Sequence, residues 1–181
     1  MEEKKLRKNM RLKSANYSNP GAYFITICTE NRRCILSHIV GTGVLDGPIS
    51  VELLPHGKIA EKHINQLNDF YDDILIERYV IMPNHIHMLL FVKPSENNVN
   101  ANTMEVENGP SRTPVPTIQN SIVSRFVSTF KRFTNKEYGM NIWQYRSYDH
   151  IIRNQKDYEE HVNYIYYNPV RWHLDELYTE S

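Results

Sequence analysis

Two histidines two residues apart lie in a segment with the composition of a β-strand. The segment from His85 to Val92 reads HIHMLLFV and follows a Pro83-Asn84 turn. Because residues two apart on a strand project from one face, His85 and His87 stand about 7 Å apart, where both imidazoles can converge on one ion. Two ligands are too few for structural zinc, so the spacing favours a catalytic divalent metal with a third ligand from elsewhere. The alternative is a pair of structural histidines satisfied by their neighbours.

A helix predicted from Gln155 to Tyr167 carries candidate partners for this pair. Asn154 is suited to cap its start, and Pro169 ends it, because the residue before a proline avoids helical geometry. At 100° per residue, Tyr164 and Asn168 lie one turn apart on the flank of the apolar stripe. The stripe itself comprises Tyr158, Val162, Ile165 and Tyr166, and Tyr167 points away from it. A phenol and a carboxamide are therefore expected at the boundary between helix and sheet.

The remaining pattern predicts an α+β fold, with helices on an antiparallel sheet. Strands are expected at residues 22–29, 73–82 and 85–92, with a less regular one within residues 34–51, and a helix at residues 55–68. A further helix is expected to begin at an N-cap, Thr117, and to stop at Gly139. Its apolar stripe consists of Ile118, Ile122, Phe126, Phe130 and Phe133.

The chain divides into a basic arm at residues 1–16, one domain at 17–172 and a tail at 173–181. Six basic and two acidic side chains occupy the first 13 residues. Residues 94–117 contain four prolines and five asparagines and are predicted to form a flexible loop. The arm, and the basic helix face with Arg125, Lys131 and Arg132, are either solvated surfaces or phosphate contacts.

Composition excludes several classes of protein. Lys plus Arg and Asp plus Glu both total 21, so net charge offers no evidence for nucleic acid. The longest apolar run has five residues, far below the roughly 20 needed to span a membrane. Cys28 and Cys34 form neither a disulfide framework nor a zinc quartet, and no signal-peptide pattern is present, so a cytoplasmic location is expected.

Three separated blocks resemble the single-tyrosine HUH transposases, in their REP-associated branch. The blocks are RYVIMPNHIH at residues 78–87, YSNPGAYFITICTENR at 17–32, and YDHIIRN at 148–154 followed by YIYYNPVRW at 164–172. The resemblance implies a ferredoxin-like, RRM-like nuclease domain that cleaves and rejoins single-stranded or hairpin DNA. It spans about residues 13–172, apart from the loop at 94–117.

The resemblance also assigns roles to residues. It places the nucleophile on Tyr164 and the metal ligands on His85 and His87. Asn168 occupies the position where relatives often have a glutamine ligand, with one methylene less reach. His150 matches a histidine of the family and is, with Arg153, a candidate for support of the site or for DNA binding. The basic face of the preceding helix, with Arg125, Lys131 and Arg132, supplies further candidates by its charge.

The implied chemistry is attack by a phenol on a phosphodiester, which leaves a 5′-phosphotyrosine and a free 3′-hydroxyl. A divalent metal would neutralise charge on the phosphate. Nitrogen ligands favour Mn²⁺ and cellular abundance favours Mg²⁺, so both remain open. The protein is expected to act as a monomer or homodimer. A membrane is not expected among its partners.

Two other interpretations stay open from the residues alone. One is a non-catalytic module for single-stranded nucleic acid, in which Tyr23 and Tyr79 stack on bases. The other is a small metal-dependent hydrolase that uses His85 and His87 to activate water. A covalent adduct between protein and DNA distinguishes the three.

Overall fold

The histidine pair lies on a four-stranded antiparallel sheet. The computed structural model describes residues 19–41, 49–94 and 121–179. In chain order the elements are β1 (Gly21–Cys28), β2 (Ser37–Val40), β3 (Ser50–Leu53), α1 (Pro55–Phe70), β4 (Ile74–Ile81), β5 (His85–Val92), α2 (Ile122–Tyr138), β6 (Tyr148–Ile152) and α3 (Gln155–Tyr167). The sheet order is β4-β5-β1-β6, and every neighbouring pair is antiparallel. The predicted α+β fold with a ferredoxin-like sheet is confirmed.

The region between β1 and α1 differs from the prediction. A single strand was expected within residues 34–51, but β2 and β3 pair only with each other and form a separate two-stranded sheet. Gly41 follows β2 with a φ of 89°, a conformation that glycine adopts without strain, and it ends that strand. The expectation of one strand is therefore wrong, because a glycine-rich break divides the apolar pattern into two short halves.

Strand β6 is not among the strands that the sequence predicts. This strand reads YDHII and pairs with β1 at the edge of the sheet. Polar side chains occupy its first three positions, so it lacks the alternation of apolar and polar residues that identifies a strand. Pairing with β1, rather than local pattern, places His150 beside the sheet.

The two faces of the sheet are covered by different helices. Alternate residues of β5, Ile86, Met88 and Leu90, are fully buried in a core shared with α1 and α2. The opposite face carries His85, His87 and Leu89, and there α3 packs through Ile165 against Leu89 and Phe24. Both histidines therefore lie on the face that α3 covers.

Helix α1 approaches the loop before β2 very closely through Gly57. A Cβ at this position would overlap the carbonyl oxygen of Leu36. That carbonyl accepts a hydrogen bond of 2.9 Å from the backbone N–H of Leu54, directly before the helix. A glycine inside a helix is normally unfavourable, so the close approach is the reason for it here.

Helix α2 begins later than predicted. Ser121 is its N-cap and accepts a hydrogen bond from the backbone N–H of Ser124, so the expected start at Thr117 is wrong. Gly139 ends the helix with a φ of 74°, as predicted. Phe133 was expected in the apolar stripe but is 38% exposed. Thr134 is buried in its place, because its hydroxyl accepts a 2.7 Å hydrogen bond from the indole of Trp143.

Several predicted segments lie outside the described residues. These are the basic arm at residues 1–16, residues 95–117 of the expected loop, Thr117 and Ile118. Residues 175–179 of the predicted tail are described and lie against the domain, where the Asn84 amide donates to the carbonyl of Leu177. In the described ranges, no helix combines the length and hydropathy needed to cross a membrane.

Candidate active site

The two histidine rings converge on the α3 face of the sheet. His85 and His87 are 0% and 2% exposed, and their Nε2 atoms lie 2.9 Å apart. The rings meet edge to face, with centroids 4.4 Å apart. Two imidazole nitrogens at this separation point to the same small volume, as the spacing in the sequence predicts.

A neighbouring amide determines the tautomer of His85. The Asn84 Nδ2 donates to the carbonyl of Leu177 at 2.8 Å, so its Oδ1 is the atom 2.7 Å from Nδ1 of His85. A carbonyl oxygen only accepts, and therefore Nδ1 of His85 carries the hydrogen. The lone pair of His85 is then on Nε2, which faces His87.

His87 has a comparable support on β1. Thr26 lies directly opposite His87 in the strand register, and its Oγ1 is 2.8 Å from Nδ1 of His87. Burial lowers the pKa of His85 to about 4, and burial together with the neighbouring His85 and His161 lowers the pKa of His87 well below its ordinary value. Both rings are neutral at pH 7, the state in which an imidazole binds a metal.

Helix α3 brings Tyr164 to this pair. Its ring centroid lies 5.1 Å from that of His87 and 5.9 Å from that of Phe24. The ring is 42% exposed, so the phenol is reachable from solvent. Its helical neighbour Tyr166 was expected in the apolar stripe, but it is 72% exposed, so that expectation is wrong. On this face of the sheet, Ile165 of α3 is buried against Phe24 and Leu89, and Tyr158 and Val162 are only partly buried.

Asn168 is buried beside the same pair, at the C-cap of α3. Its Nδ2 donates a 2.7 Å hydrogen bond to Oδ2 of Asp175. Its Oδ1 is buried and has no hydrogen-bond partner among the residues that the structure describes. A buried amide oxygen without a partner is costly unless something outside the protein satisfies it.

Asp175 is the site residue that sequence reasoning missed. A short 3-10 segment, Pro169–Leu174, follows α3 and turns the chain back, so that Asp175 reaches the site. Its Oδ2 accepts from the Tyr164 phenol at 2.8 Å as well as from Asn168. In the sequence nothing distinguishes this carboxylate from the adjacent Glu176. Its position depends on a turn without a periodic signature.

These groups fit a divalent metal. Ligand atoms of His85, His87 and Asp175 all lie within 4.8 Å of one another. Asn168 donates a hydrogen bond to Asp175 through Nδ2, and its Oδ1 is the atom without a partner among the described residues. Two imidazole nitrogens with carboxylate or amide oxygens are a donor set that Mn²⁺ and later divalent metals accept. The supports on the Nδ1 atoms orient the rings as outer hydrogen bonds do in metal sites.

A cavity of about 710 Å³ opens in front of the phenol. Its walls include Phe24, His87 and Tyr164. Three arginines line it as well, namely Arg32, Arg146 and Arg171. These arginines come from three segments that are far apart in the sequence, so no run of basic residues marks them. Their guanidinium groups match the charge and the planar geometry of phosphate oxygens.

The structure separates the other residues singled out from the sequence. His150 hydrogen-bonds Asp157 next to the site, and the backbone N–H of Arg153 donates to the same carboxylate. Helix α2 lies on the opposite face of the sheet, where Arg132 lies over the ring of Phe133. Lys131 donates to three carbonyls of residues 144–146, next to the arginine-lined cavity.

The two tyrosines expected to stack on bases differ in burial. Tyr23 is 1% exposed, and its hydroxyl donates to the carbonyl of Asn19. Tyr79 is partly buried against the core shared with α1 and α2, and its hydroxyl donates to Glu61. Stacking of a base on Tyr23 is therefore excluded, and the expected pair of stacking rings is not present.

Comparisons with known proteins identify similar chains. No family model matches the chain. A Haemophilus influenzae (strain Rd) protein described as uncharacterized is 31% identical over 177 residues, which are 96% of this chain and 94% of that protein. The REP-associated tyrosine transposase of Escherichia coli K12 is 27% identical over 86% of this chain and 70% of its own length. A solved structure of a REP-associated tyrosine transposase bound to a REP hairpin superposes with a TM-score of 0.56, at 21% identity, over 92% of this chain and 74% of that one.

Proposed function

Because the chain belongs to the family of REP-associated tyrosine transposases, we propose that it is a metal-dependent nuclease and strand transferase for single-stranded DNA. In this proposal Tyr164 attacks a phosphodiester and becomes linked to the 5′ phosphate. The substrate is a strand that carries a hairpin, since one relative was solved bound to a REP hairpin.

One observation carries the proposal: an accessible helix tyrosine lies against two buried imidazoles whose Nε2 atoms converge. Both rings are hydrogen-bonded at Nδ1, which leaves their Nε2 atoms facing each other. A buried amide oxygen of Asn168 also has no partner among the described residues, which a purely structural histidine pair does not explain. A phenol beside such a site is suited to nucleophilic attack on a phosphate.

His85 and His87 would hold the metal, and Asn168 Oδ1 is the natural third ligand because it has no hydrogen-bond partner within residues 19–41, 49–94 and 121–179. When bound, Mg²⁺ or Mn²⁺ would withdraw charge from a non-bridging phosphate oxygen and stabilise in-line attack. Asn84 orients His85 with its lone pair on Nε2, and Thr26 orients the ring of His87.

Asp175 prepares the nucleophile. A neutral phenol is a weak nucleophile at pH 7, because its ordinary pKa is near 10. Burial and the carboxylate of Asp175 raise the pKa of Tyr164 further, so a phenolate does not form in advance. Asp175 Oδ2, 2.8 Å from the phenol oxygen, is placed to accept the proton as the bond to phosphorus forms.

The linkage explains strand transfer without an energy source. Cleavage would produce a phosphotyrosine on Tyr164 and a free 3′-hydroxyl, so one phosphodiester is exchanged for another. A second 3′-hydroxyl in the same place reverses the step and rejoins DNA.

The test is denaturing electrophoresis of the protein mixed with labelled single-stranded hairpin DNA and Mn²⁺. We expect a band that survives SDS, disappears with EDTA and disappears after protease treatment. Retarded migration on a native gel without any covalent band would identify a binding module instead. Hydrolysed DNA without a protein adduct would point to a hydrolase that uses water.

A further inference from the structure

A second polar cluster adjoins the site and takes no part in the proposed metal centre. His150 on β6 and His161 on α3 both contact the carboxylate of Asp157, at 3.0 Å and 3.2 Å. The two imidazoles stack, with centroids 4.7 Å apart and planes inclined by 15°. All three residues are partly buried. Such a cluster is either a second metal site or a hydrogen-bonded support for one of its members.

The protonation of His161 decides between these possibilities. Its Nδ1 lies 2.8 Å from the backbone carbonyl of Asp157, one turn earlier in α3. A carbonyl oxygen only accepts, so Nδ1 carries a hydrogen and has no lone pair for a metal. Asp157 is also engaged, because its Oδ2 accepts from the backbone N–H of Arg153 and from Nε2 of His150. The cluster therefore orients His161 and does not form a metal centre.

His161 is the member of this cluster that faces the proposed reaction. It lines the cavity in front of Tyr164, and it precedes Tyr164 by three residues, so both project from one side of α3. The ring of Phe24 contacts His161 at 4.6 Å, His87 at 5.0 Å and Tyr164 at 5.9 Å between centroids. Among the described residues, none forms a hydrogen bond with Nε2 of His161. That nitrogen is available to a molecule in the cavity.

We propose that His161 is the general acid that protonates the 3′ oxygen leaving group, with Asp157 as its positioning residue. This proposal rests on the proposed function. Proton transfer to the leaving oxygen is needed because an alkoxide is a poor leaving group at neutral pH. His161 is held through Nδ1 by the backbone carbonyl of Asp157 at 2.8 Å and by its carboxylate at 3.2 Å, which leaves Nε2 for the substrate, as proton transfer requires.

Two proton transfers accompany the exchange of one bond to phosphorus for another. The Tyr164 phenol proton passes to Asp175, and the phenol oxygen forms a bond to phosphorus. The bond between phosphorus and the 3′ oxygen breaks, and its electron pair stays on that oxygen. The 3′ oxygen takes the proton from Nε2 of the His161 imidazolium, which becomes neutral. During rejoining, the neutral ring accepts the proton of the incoming 3′-hydroxyl.

The test compares two DNA substrates in single-turnover cleavage with Mn²⁺. One is ordinary, and the other has sulfur in place of the bridging 3′ oxygen at the scissile phosphate. A thiolate leaves without protonation, so it needs no general acid. We expect H161Q to cleave ordinary DNA about 100-fold more slowly than the unmodified protein and to cleave the sulfur substrate at nearly its rate.

Matched variants separate proton transfer from support of the fold. His150 contacts the same carboxylate but does not line the cavity, as far as the chain is described. Any decrease in cleavage rate in H150Q should therefore be equal on both substrates. D157N should cleave ordinary DNA somewhat more slowly than the unmodified protein and should cleave the sulfur substrate at nearly the unmodified rate. Thermal unfolding and DNA affinity are measured for each variant to identify a misfolded one.

Equal losses for H161Q on the two substrates would overturn the role of His161 and leave the proposed function intact. Wild-type activity of H161Q on ordinary DNA would do the same. Failure of the unmodified protein to form any adduct would instead contradict the proposed function itself.

Discussion

The phenol of Tyr164 donates a 2.8 Å hydrogen bond to the carboxylate of Asp175, eleven residues later in the chain. The same oxygen of Asp175 accepts from the Asn168 amide at 2.7 Å, and the other oxygen accepts from the backbone N–H of Leu177. The carboxylate is thus held rigidly beside the phenol. Its negative charge favours the protonated phenol over the phenolate, so it determines the state in which the nucleophile waits.

The first prediction concerns that charge. Burial raises the pKa of Tyr164 most, and the hydrogen bond and charge of Asp175 raise it further. D175N removes the contribution of the carboxylate and should therefore lower this pKa. Carbon NMR of tyrosine labelled at the phenol carbon measures this titration, with Y164F identifying the signal. Glu176 raises the pKa of Tyr164 by charge alone and only as the smallest contribution, so E176Q is the control. An equal change in both variants would contradict a direct hydrogen bond.

The second prediction concerns the nucleophile. Y164F should abolish the covalent adduct and cleavage but retain DNA binding, because only the attacking oxygen is removed. The ring contacts with Phe24 and His87 remain, so the melting temperature should change little. Y166F is the control, since Tyr166 is 72% exposed. Digestion and mass spectrometry should find the nucleotide remnant on Tyr164, and a remnant on Tyr158, Tyr166 or Tyr167 would reject the assignment.

The third prediction concerns the metal. H87A should weaken Mn²⁺ binding by more than tenfold in calorimetry, because it removes one of two converging imidazoles. N84A should weaken it by about 10- to 100-fold, because the amide that orients His85 is lost. H38A removes an exposed histidine on β2 and should bind as the unmodified protein does. Unchanged Mn²⁺ binding by H87A would place the metal elsewhere.

The fourth prediction concerns the acid stability of the metal-free protein. Burial lowers the pKa of His85 in the folded state to about 4, against an ordinary value near 6.5. The folded state keeps the His85 ring neutral, whereas the unfolded chain binds a proton there below pH 6.5. The free energy of unfolding is therefore fully retained above pH 6.5 and falls as the pH is lowered towards 4. The loss for this one group is on the order of 3 kcal/mol.

Urea unfolding in EDTA at pH 7.5 and pH 4.5 measures this effect. The free energy of unfolding should fall by less in H85Q than in the unmodified protein, because glutamine does not titrate. Carboxylates titrate in both proteins and cancel in the comparison. An identical fall in both would show that His85 titrates normally in the folded state.

The fifth prediction concerns the fold. G57A should destabilise the protein by several kcal/mol, although alanine in a helix is usually better than glycine by about 1 kcal/mol. The added Cβ would overlap the backbone carbonyl of Leu36, and a backbone atom cannot move aside like a flexible side chain. Chemical unfolding measures the change. K58A, at the next and exposed position of α1, is the control and should have little effect.

The sequence by itself determined the elements with strong local signals. The alternation of HIHMLLFV sets β5 and places both histidines on one face, because a strand has a period of two. Asn154 and Pro169 bound α3 at the predicted residues, because an N-cap and a proline act on adjacent backbone. Tyr164 and Asn168, one turn apart on a helix, follow from the same local geometry.

Only the tertiary structure decided which groups complete the site. Asp175 reaches Tyr164 through a turn without periodicity, and the cavity arginines come from three segments far apart in the sequence. The strand β6 exists because β1 offers it an edge, and it brings His150 to Asp157. Tyr166 is exposed although the helical periodicity places it in the apolar stripe. Contacts between residues distant in sequence depend on how the elements pack, and a local pattern carries no record of that packing.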